Sequence, residues 1–299
     1  MPVPAAPLSE SAIVARLRAA GCVFAEDEAR LLLAEARTPA ELSAMVERRA
    51  DGQPLEHVLG WADFCGLRIA VDPGVFVPRR RTEFLVSQAV AIAPPRPVVV
   101  DLCCGSGAVG AALAAALDGV ELYAADIDPA AVRCARRNVA AAGGQVYAGD
   151  LFEPLPAGLR GRVGILAANV PYVPTAEVGL LPAEARLHEP RAALDGGADG
   201  LDVLRRVAAE APRWLAEGGS LLVEVSERQE QTACQTARRG GLVPRVARSA
   251  MFGSTVIVAT RPAGSPGYHP ELDGTAIGAA ARRAVFLWPE EPEPGPSGN

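Results

Sequence analysis

From about residue 82 to residue 262, short apolar runs of strand character alternate with stretches of helix length. The runs are PVVVDL (97–102), VELYAAD (120–126), QVYAG (145–149), VGILAAN (163–169) and GSLLVEV (219–225). Between them helices are expected at Ser106–Leu117, Pro129–Ala142, Leu201–Ala216 and Glu227–Arg239. Near-continuous apolar strands are buried on both faces, so this alternation predicts a parallel sheet with helices above and below it. Two final runs, GLVPRVA and STVIVAT, have no helix between them and predict a hairpin forming an antiparallel C-terminal edge. The expected class is α/β: a Rossmann-like, seven-stranded, doubly wound sheet.

Ahead of this block, residues 9–50 read as helices, the first capped by Ser9 and ended at Gly21, the last opened by Pro39 and stopped at Gly52. The expected division is a helical substrate-recognition domain at 1–54, a hairpin linker at 55–81 and the sheet domain at 82–262. An extension at 263–299 follows, with one further helix expected in ELDGTAIGAAARRAVFLW and an acidic, Pro/Gly-rich tail disordered from about 289.

Composition narrows the function. No apolar run is long enough to span a membrane and no basic start precedes an apolar block, so the cytoplasm is expected. The net charge of −6 argues against a general nucleic-acid binder. Arg79, Arg80 and Arg81 form a local basic cluster, expected to be a solvated loop rather than a site for an acidic partner or RNA. All 29 Lys+Arg residues are Arg, which excludes a lysine nucleophile. Cysteines 22, 65, 103, 104, 134 and 234 lack zinc-like or thioredoxin-like spacing and read as small buried hydrophobes; no metal site is expected.

VVVDLCCGSGAVGAAL reads as a strand, a tight turn and a helix start, with Gly105, Gly107 and Gly110 permitting close backbone approach. The glycine spacing fits a dinucleotide fingerprint, and Asp126 at the end of the next strand suits ribose hydroxyls. Asp101, just before the turn, suits a cationic sulfonium amino acid better than a pyrophosphate. Asp150, at the end of the third strand, stands where it could meet an adenine amino group. Three acids at three successive strand ends favour S-adenosylmethionine (SAM); a dinucleotide and a turn used only for packing are the alternatives.

With these motifs the chain resembles the HemK/PrmC-type protein N(5)-glutamine methyltransferases, from about residue 25 to 262. The resemblance lies in RRADGQPLEHVLGWADFCGLRIAVDPGVFVPR, DLCCGSGAVGAAL, AADIDPAAVRCARRN, GDLFEPLP, NVPY and HEPRAALDGGADGLDVLRRV. It implies a class I SAM-dependent fold behind a small helical domain, no metal, and methylation of the Gly-Gly-Gln glutamine of peptide-chain release factors. Carried over by motif, the cofactor loop is Cys103, Cys104, Gly105, Ser106 and Gly107, with Asp126 on the ribose and Asp150 and Leu151 beside the adenine. Asn169 contacts both the cofactor and the target amide, and Val170, Pro171 and Tyr172 complete the substrate grip. Three places depart from the family pattern: Cys103-Cys104 for Gly-Thr, Val170 for the first proline of Asn-Pro-Pro-Tyr, and Arg81 for an acid. They mark a divergent branch.

An amide nitrogen is a poor nucleophile, so methyl transfer needs it held in line with the S–CH3 bond. Asn169 Oδ1 and the Val170 carbonyl are candidate acceptors for its two N–H bonds, and the carbonyl survives a Pro-to-Val change. Pro171 keeps Val170 out of the helical region, and the Tyr172 ring packs on the planar amide. No general base is needed; His57, His188 and His269 are expected to be surface or structural residues. Glu189 and Arg191 are candidates for gripping substrate, the alternative being a salt bridge that pins the loop. Competing functions are methylation of a DNA or RNA base amino group, which shares the planar geometry, and a catalytically weak SAM-binding scaffold.

Overall fold

The computed structural model describes residues 8–264. His269, the helix expected within 271–288 and the acidic tail lie outside the described residues. Helices α1 (Glu10–Ala19), α2 (Ala25–Glu35), α3 (Pro39–Ala50) and α4 (Leu55–Leu59) come first, then strands β1 (Trp61–Phe64) and β2 (Leu67–Ala70). There follow α5 (Glu83–Ile92), β3 (Val98–Leu102), α6 (Ala108–Ala116), β4 (Glu121–Asp126), α7 (Pro129–Val139), β5 (Gln145–Ala148) and β6 (Val163–Ala168). The chain continues through α8 (Ala183–His188), α9 (Asp202–Trp214), β7 (Leu215–Val225), α10 (Glu230–Arg239), β8 (Val243–Ser249) and β9 (Ser254–Thr260).

The N-terminal helices start and stop where side-chain chemistry dictates. Ser9 Oγ accepts the Ala12 N–H at 3.3 Å, and Thr38 Oγ1 accepts that of Glu41 at 3.1 Å. Ile13, Leu17, Ala29, Leu32, Met45 and Val46 close an apolar cluster that also takes in Val58 of α4. α4 ends at Gly60, whose φ of +82° is open to glycine. It occupies the start of the segment expected as hairpin linker. The two-residue turn between β1 and β2 is Cys65-Gly66, both with positive φ, the geometry that matches strand twist in a tight hairpin.

Seven strands form one sheet in the order β5-β4-β3-β6-β7-β9-β8. All neighbours from β5 to β7 are parallel, and β9 runs antiparallel to both β7 and β8. The α/β class is as expected, and the reversed strand is β9, set one place in from the edge strand β8. Every residue of β6 is buried. On one face Val99, Leu122, Ile165 and Ala167 pack against α5, α6, α7 and the hairpin. On the other, Val100, Tyr123, Leu166 and Ala168 meet α9 and α10, where Phe152 stacks on Trp214 with ring centroids 5.3 Å apart. Strand order reverses between β3 and β6, and in open α/β sheets a crevice opens beyond the carboxyl ends of strands at such a point.

α5 was not among the helices expected from the sequence. Its residues EFLVSQAVAI are apolar on nearly every side, so the helical period is faint, yet Leu85, Val86 and Ala89 face the core.

One ion pair joins the helical segment to the sheet domain. Arg49 on α3 is 7% exposed, and its guanidinium donates to Glu28 of α2 at 2.6 Å and to Glu184 of α8 at 2.6 Å. Glu28 is itself buried. Replacing Arg49 by alanine strands that carboxylate, a change expected to destabilise the protein by about 3–5 kcal/mol in urea unfolding. The double variant Arg49→Met/Glu28→Gln, which removes both charges, is expected to recover most of the loss.

Candidate active site

A cavity of about 1010 Å³ lies at the carboxyl ends of β3, β4, β5 and β6. One part of its wall is the turn after β3. Cys103, Gly105 and Gly107 all have left-handed φ (+53°, +54° and +75°). At Cys103 a side chain takes a conformation that glycine adopts freely, a strain of roughly 1–2 kcal/mol. Gly107 is also held by space, since a Cβ there would stand 3.0 Å from that of Ala135.

The turn is fixed by carboxylates. Asp101 Oδ2 accepts the Gly110 N–H at 2.9 Å, and Asp126 Oδ2 accepts that of Gly105 at 2.8 Å. Asp126 Oδ1 takes the Asp128 N–H at 2.9 Å, and the Gly107 N–H goes to the Cys104 carbonyl at 2.7 Å. Asp101 is 1% exposed, and burial pushes its carboxyl up to about 7 against the Gly110 hydrogen bond. Burial also raises Asp126 and drives both Cys103 and Cys104 far up, so these thiols stay protonated.

Asp150 and Leu151 (φ +50°) form the wall after β5, and Asp150 Oδ2 pairs with Arg206 of α9 at 2.6 Å. Asn138 of α7 joins the turn to the hairpin. Its Nδ2 donates to the Ser106 and Ala70 carbonyls, both at 2.8 Å, while its Oδ1 accepts the Ala70 N–H at 2.9 Å.

The tetrapeptide Asn169-Val170-Pro171-Tyr172 leaves the end of β6 and lines the cavity opposite the turn. Asn169 Oδ1 is buried and has no hydrogen-bond partner. A buried acceptor left unpaired costs about 1–3 kcal/mol, so this oxygen is set for a donor that enters the cavity. Val170 is buried among Leu201, Leu204 and Val223, so its side chain anchors the turn from behind. Tyr172 is held at both ends. Its hydroxyl donates to Glu224 Oε1 at 3.0 Å, and its carbonyl accepts from Gln229 Nε2 at 2.8 Å.

Two glycines of HEPRAALDGGADGL pack on this turn. A Cβ at Gly196 would lie 2.6 Å from the Pro171 carbonyl oxygen, and one at Gly200 would overlap the Tyr172 carbonyl.

Glu189 and Arg191 are not in the cavity wall. The Glu189 side chain is buried, accepts the Val77 N–H at 3.1 Å and pairs with Arg79 at 2.6 Å. Arg191 is largely exposed and pairs with Asp195 at 2.9 Å. Both pin the loop that follows the tetrapeptide. Two arginines of the Arg79–Arg81 cluster are likewise engaged, Arg79 with Glu189 and Arg81 with Glu224, while Arg80 is exposed. His57 is buried, its Nε2 is 2.8 Å from the Val75 carbonyl, and burial lowers its pKa.

Arg206 lines the cavity, and Glu224, Gln229 and Asn138 hold residues that do; none of the four was singled out in the sequence. Ser226-Glu227-Arg228-Gln229 does carry a capping-box signature, and that box is formed. The other three show no local signal.

The cavity wall fits SAM. Carboxylates end β3 and β4 and follow β5, Asn169 Oδ1 is an orphaned acceptor, and an amine, ribose hydroxyls and an amide all bring donors. A pyrophosphate would need free N–H groups in the glycine turn, and those of Gly105, Gly107 and Gly110 are already used. Each carboxylate oxygen that takes one N–H retains a lone pair for a ligand.

Residues 66–180 match the family model "Methyltransferase small domain". The release factor glutamine methyltransferase of Geobacter sulfurreducens is 41% identical over 208 residues, covering 68% of this chain and 72% of that protein. That of Deinococcus radiodurans is 36% identical over 270 residues, covering 84% of this chain and 96% of the relative. Among solved structures, a release factor-specific protein-(glutamine-N5) methyltransferase from Alicyclobacillus acidocaldarius is 25% identical, covering 62% of this chain and 95% of that one, with a TM-score of 0.39.

The raised Asp101 carboxyl has a pH signature of definite sign. Between about pH 3.8 and about 7 the folded protein keeps a proton that the unfolded chain releases. Asp101 therefore stabilises the ligand-free protein most at low pH and less as pH rises through that window. Thermal unfolding across it is expected to show this loss, and Asp101→Asn to flatten it. A cationic ligand favours the ionised carboxylate, so SAM affinity is expected to rise from about pH 6 to about pH 8 in calorimetry, and less so in Asp101→Asn.

Proposed function

Because the chain belongs to the release factor glutamine methyltransferase family, we propose that its acceptor is the Gly-Gly-Gln glutamine of a peptide-chain release factor, held by Asn169-Val170-Pro171-Tyr172. The enzyme is a SAM-dependent protein-(glutamine-N5) methyltransferase. The observation that carries the site assignment is the buried, unpartnered Oδ1 of Asn169 in the cavity wall.

SAM supplies an electrophilic methyl group on a sulfonium. The cofactor end of the cavity is then the turn Cys103–Gly107 with Asp101, while Asp126 takes the ribose and Asp150 and Leu151 the adenine. Arg206 occupies one oxygen of Asp150 and leaves the other for the adenine amino group.

On the acceptor side, Asn169 Oδ1 takes one N–H of the glutamine amide and the Val170 carbonyl takes the other. Two acceptors on one nitrogen draw its N–H bonds out of the amide plane and return lone-pair density for in-line attack. Pro171 restricts Val170 to extended backbone, which fixes where that carbonyl points. Tyr172 covers one face of the amide and excludes water from that face. The nitrogen becomes acidic only as it gains the methyl group, so its proton leaves to solvent and no side-chain base is required.

The helical segment contributes recognition of the protein substrate, a role supported by its direct tie to the cavity rim through Arg49 and Glu184. The activity belongs in the cytoplasm. In support, all six cysteines are free thiols, which suits a reducing compartment, and among the described residues no helix is long and apolar enough to cross a membrane.

Labelled SAM offered with release factor and with nucleic acid in parallel is expected to mark the Gly-Gly-Gln glutamine by mass spectrometry; label on nucleic acid alone would overturn the assignment. Asn169→Ala is expected to lower turnover by about 10²-fold or more through lost positioning, with SAM affinity held within about tenfold. Unchanged turnover would refute the role of that amide.

A further inference from the structure

Arg81 stands where the family pattern has an acid, and the structure gives it two partners that bear on the acceptor side. Its Nε lies 2.8 Å from Glu224 Oε1 in an ion pair, and its guanidinium carbon lies 5.3 Å from the centroid of the Tyr172 ring. The same Glu224 oxygen accepts the Tyr172 hydroxyl at 3.0 Å. The three side chains thus close a triangle in which every pair is in contact.

Glu224 sits within β7 with its side chain 3% exposed, whereas the Arg81 side chain is 46% exposed. Arg81 reaches in from the loop ahead of α5 and supplies the cation that a buried carboxylate requires. Tyr172 is then fixed at three points: carbonyl on Gln229, hydroxyl on Glu224, and one ring face under the guanidinium. Arg81 and Tyr172 both line the cavity.

We propose that Arg81 is a positioning residue for the acceptor: by pairing with Glu224 and covering one face of Tyr172, it sets the attitude of the ring against which the substrate amide lies. The inference rests on the acceptor role given above to the tetrapeptide. It requires a planar cation. An ammonium pairs with Glu224 but offers no flat surface to the ring, so lysine restores the charge and only part of the positioning.

The test combines a readout independent of substrate with a kinetic one. The protein is labelled with 3-fluorotyrosine, and the Tyr172 fluorine resonance is assigned by its loss in Tyr172→Phe. With SAM bound, Arg81→Gln is expected to move that resonance toward the position of an exposed tyrosine, and Arg81→Lys to leave it between the two. Turnover of release factor is expected to fall roughly tenfold in Arg81→Gln and to recover in part in Arg81→Lys, with SAM affinity within about threefold of the parent. Arg81→Gln/Glu224→Gln leaves no buried charge unpaired, so it guards against misfolding, and the same displaced resonance is expected in it.

An unmoved Tyr172 resonance in Arg81→Gln and in the double variant overturns the proposal. So does a loss of SAM affinity that runs in parallel with the loss of turnover, since that marks general disruption. If the parent protein fails to methylate release factor, the proposed substrate falls, and the fluorine resonance still decides the role of Arg81.

Discussion

The strand order reverses between β3 and β6, and the crevice that this opens governs the rest of the molecule. Helices cover both faces of the sheet, but nothing in a doubly wound topology covers the carboxyl ends of its central strands. Polar groups that would be intolerable within the apolar strands are tolerable there, where ligand or solvent reaches them. The acids that end β3 and β4, the acid after β5 and the amide after β6 all stand at that boundary. The turn after β3 must then pass close to α7, which is why left-handed backbone and small residues concentrate there.

The carboxylates divide by what answers their charge. Asp101 and Asp126 are met by backbone N–H groups of the turn, and burial still lifts both above the ordinary range. Among the described residues no arginine pairs with either, which suits the reception of a cation. Asp150, Glu189 and Glu224 are met by arginines from distant segments: Arg206, Arg79 and Arg81. Those pairs hold walls in place. Burial lifts Glu189 and Glu224 as well, against the arginines beside them. Asp150 carries its ion pair at the adenine end, so Asp101 and Asp126 are set apart by having no arginine partner among the described residues.

Much of this was legible in the sequence because the signals were local. All seven strands overlap the apolar runs; the central ones are buried on two faces and have no polar alternation to blur them, whereas the edge strands β5 and β8 are partly exposed. Asp101, Asp126 and Asn169 were legible because each ends a run of apolar residues. The missed parts are those whose meaning is remote. Glu224 reads as an ordinary polar position in GSLLVEV until Arg81 and Tyr172 are brought beside it. Arg79 and Arg81 read as a solvated basic cluster, although each answers a buried acid. Glu189 was left between gripping substrate and pinning a loop, and its partners Val77 and Arg79 fit the second. Helix α5 escaped because it is apolar nearly all round.

Gln229, at the threshold of α10, hydrogen-bonds back to the Tyr172 carbonyl and also to that of Asp199. Synthesis runs from the N-terminus, so the cofactor turn and the tetrapeptide both leave the ribosome well before this side chain does. A nascent chain that has emerged only through α9 holds every residue assigned to the cofactor, yet Tyr172 still lacks the supports it draws from Glu224 and Gln229. The acceptor half of the cavity is therefore complete only once the last third of the chain, which carries Glu224 and Gln229, has joined the sheet.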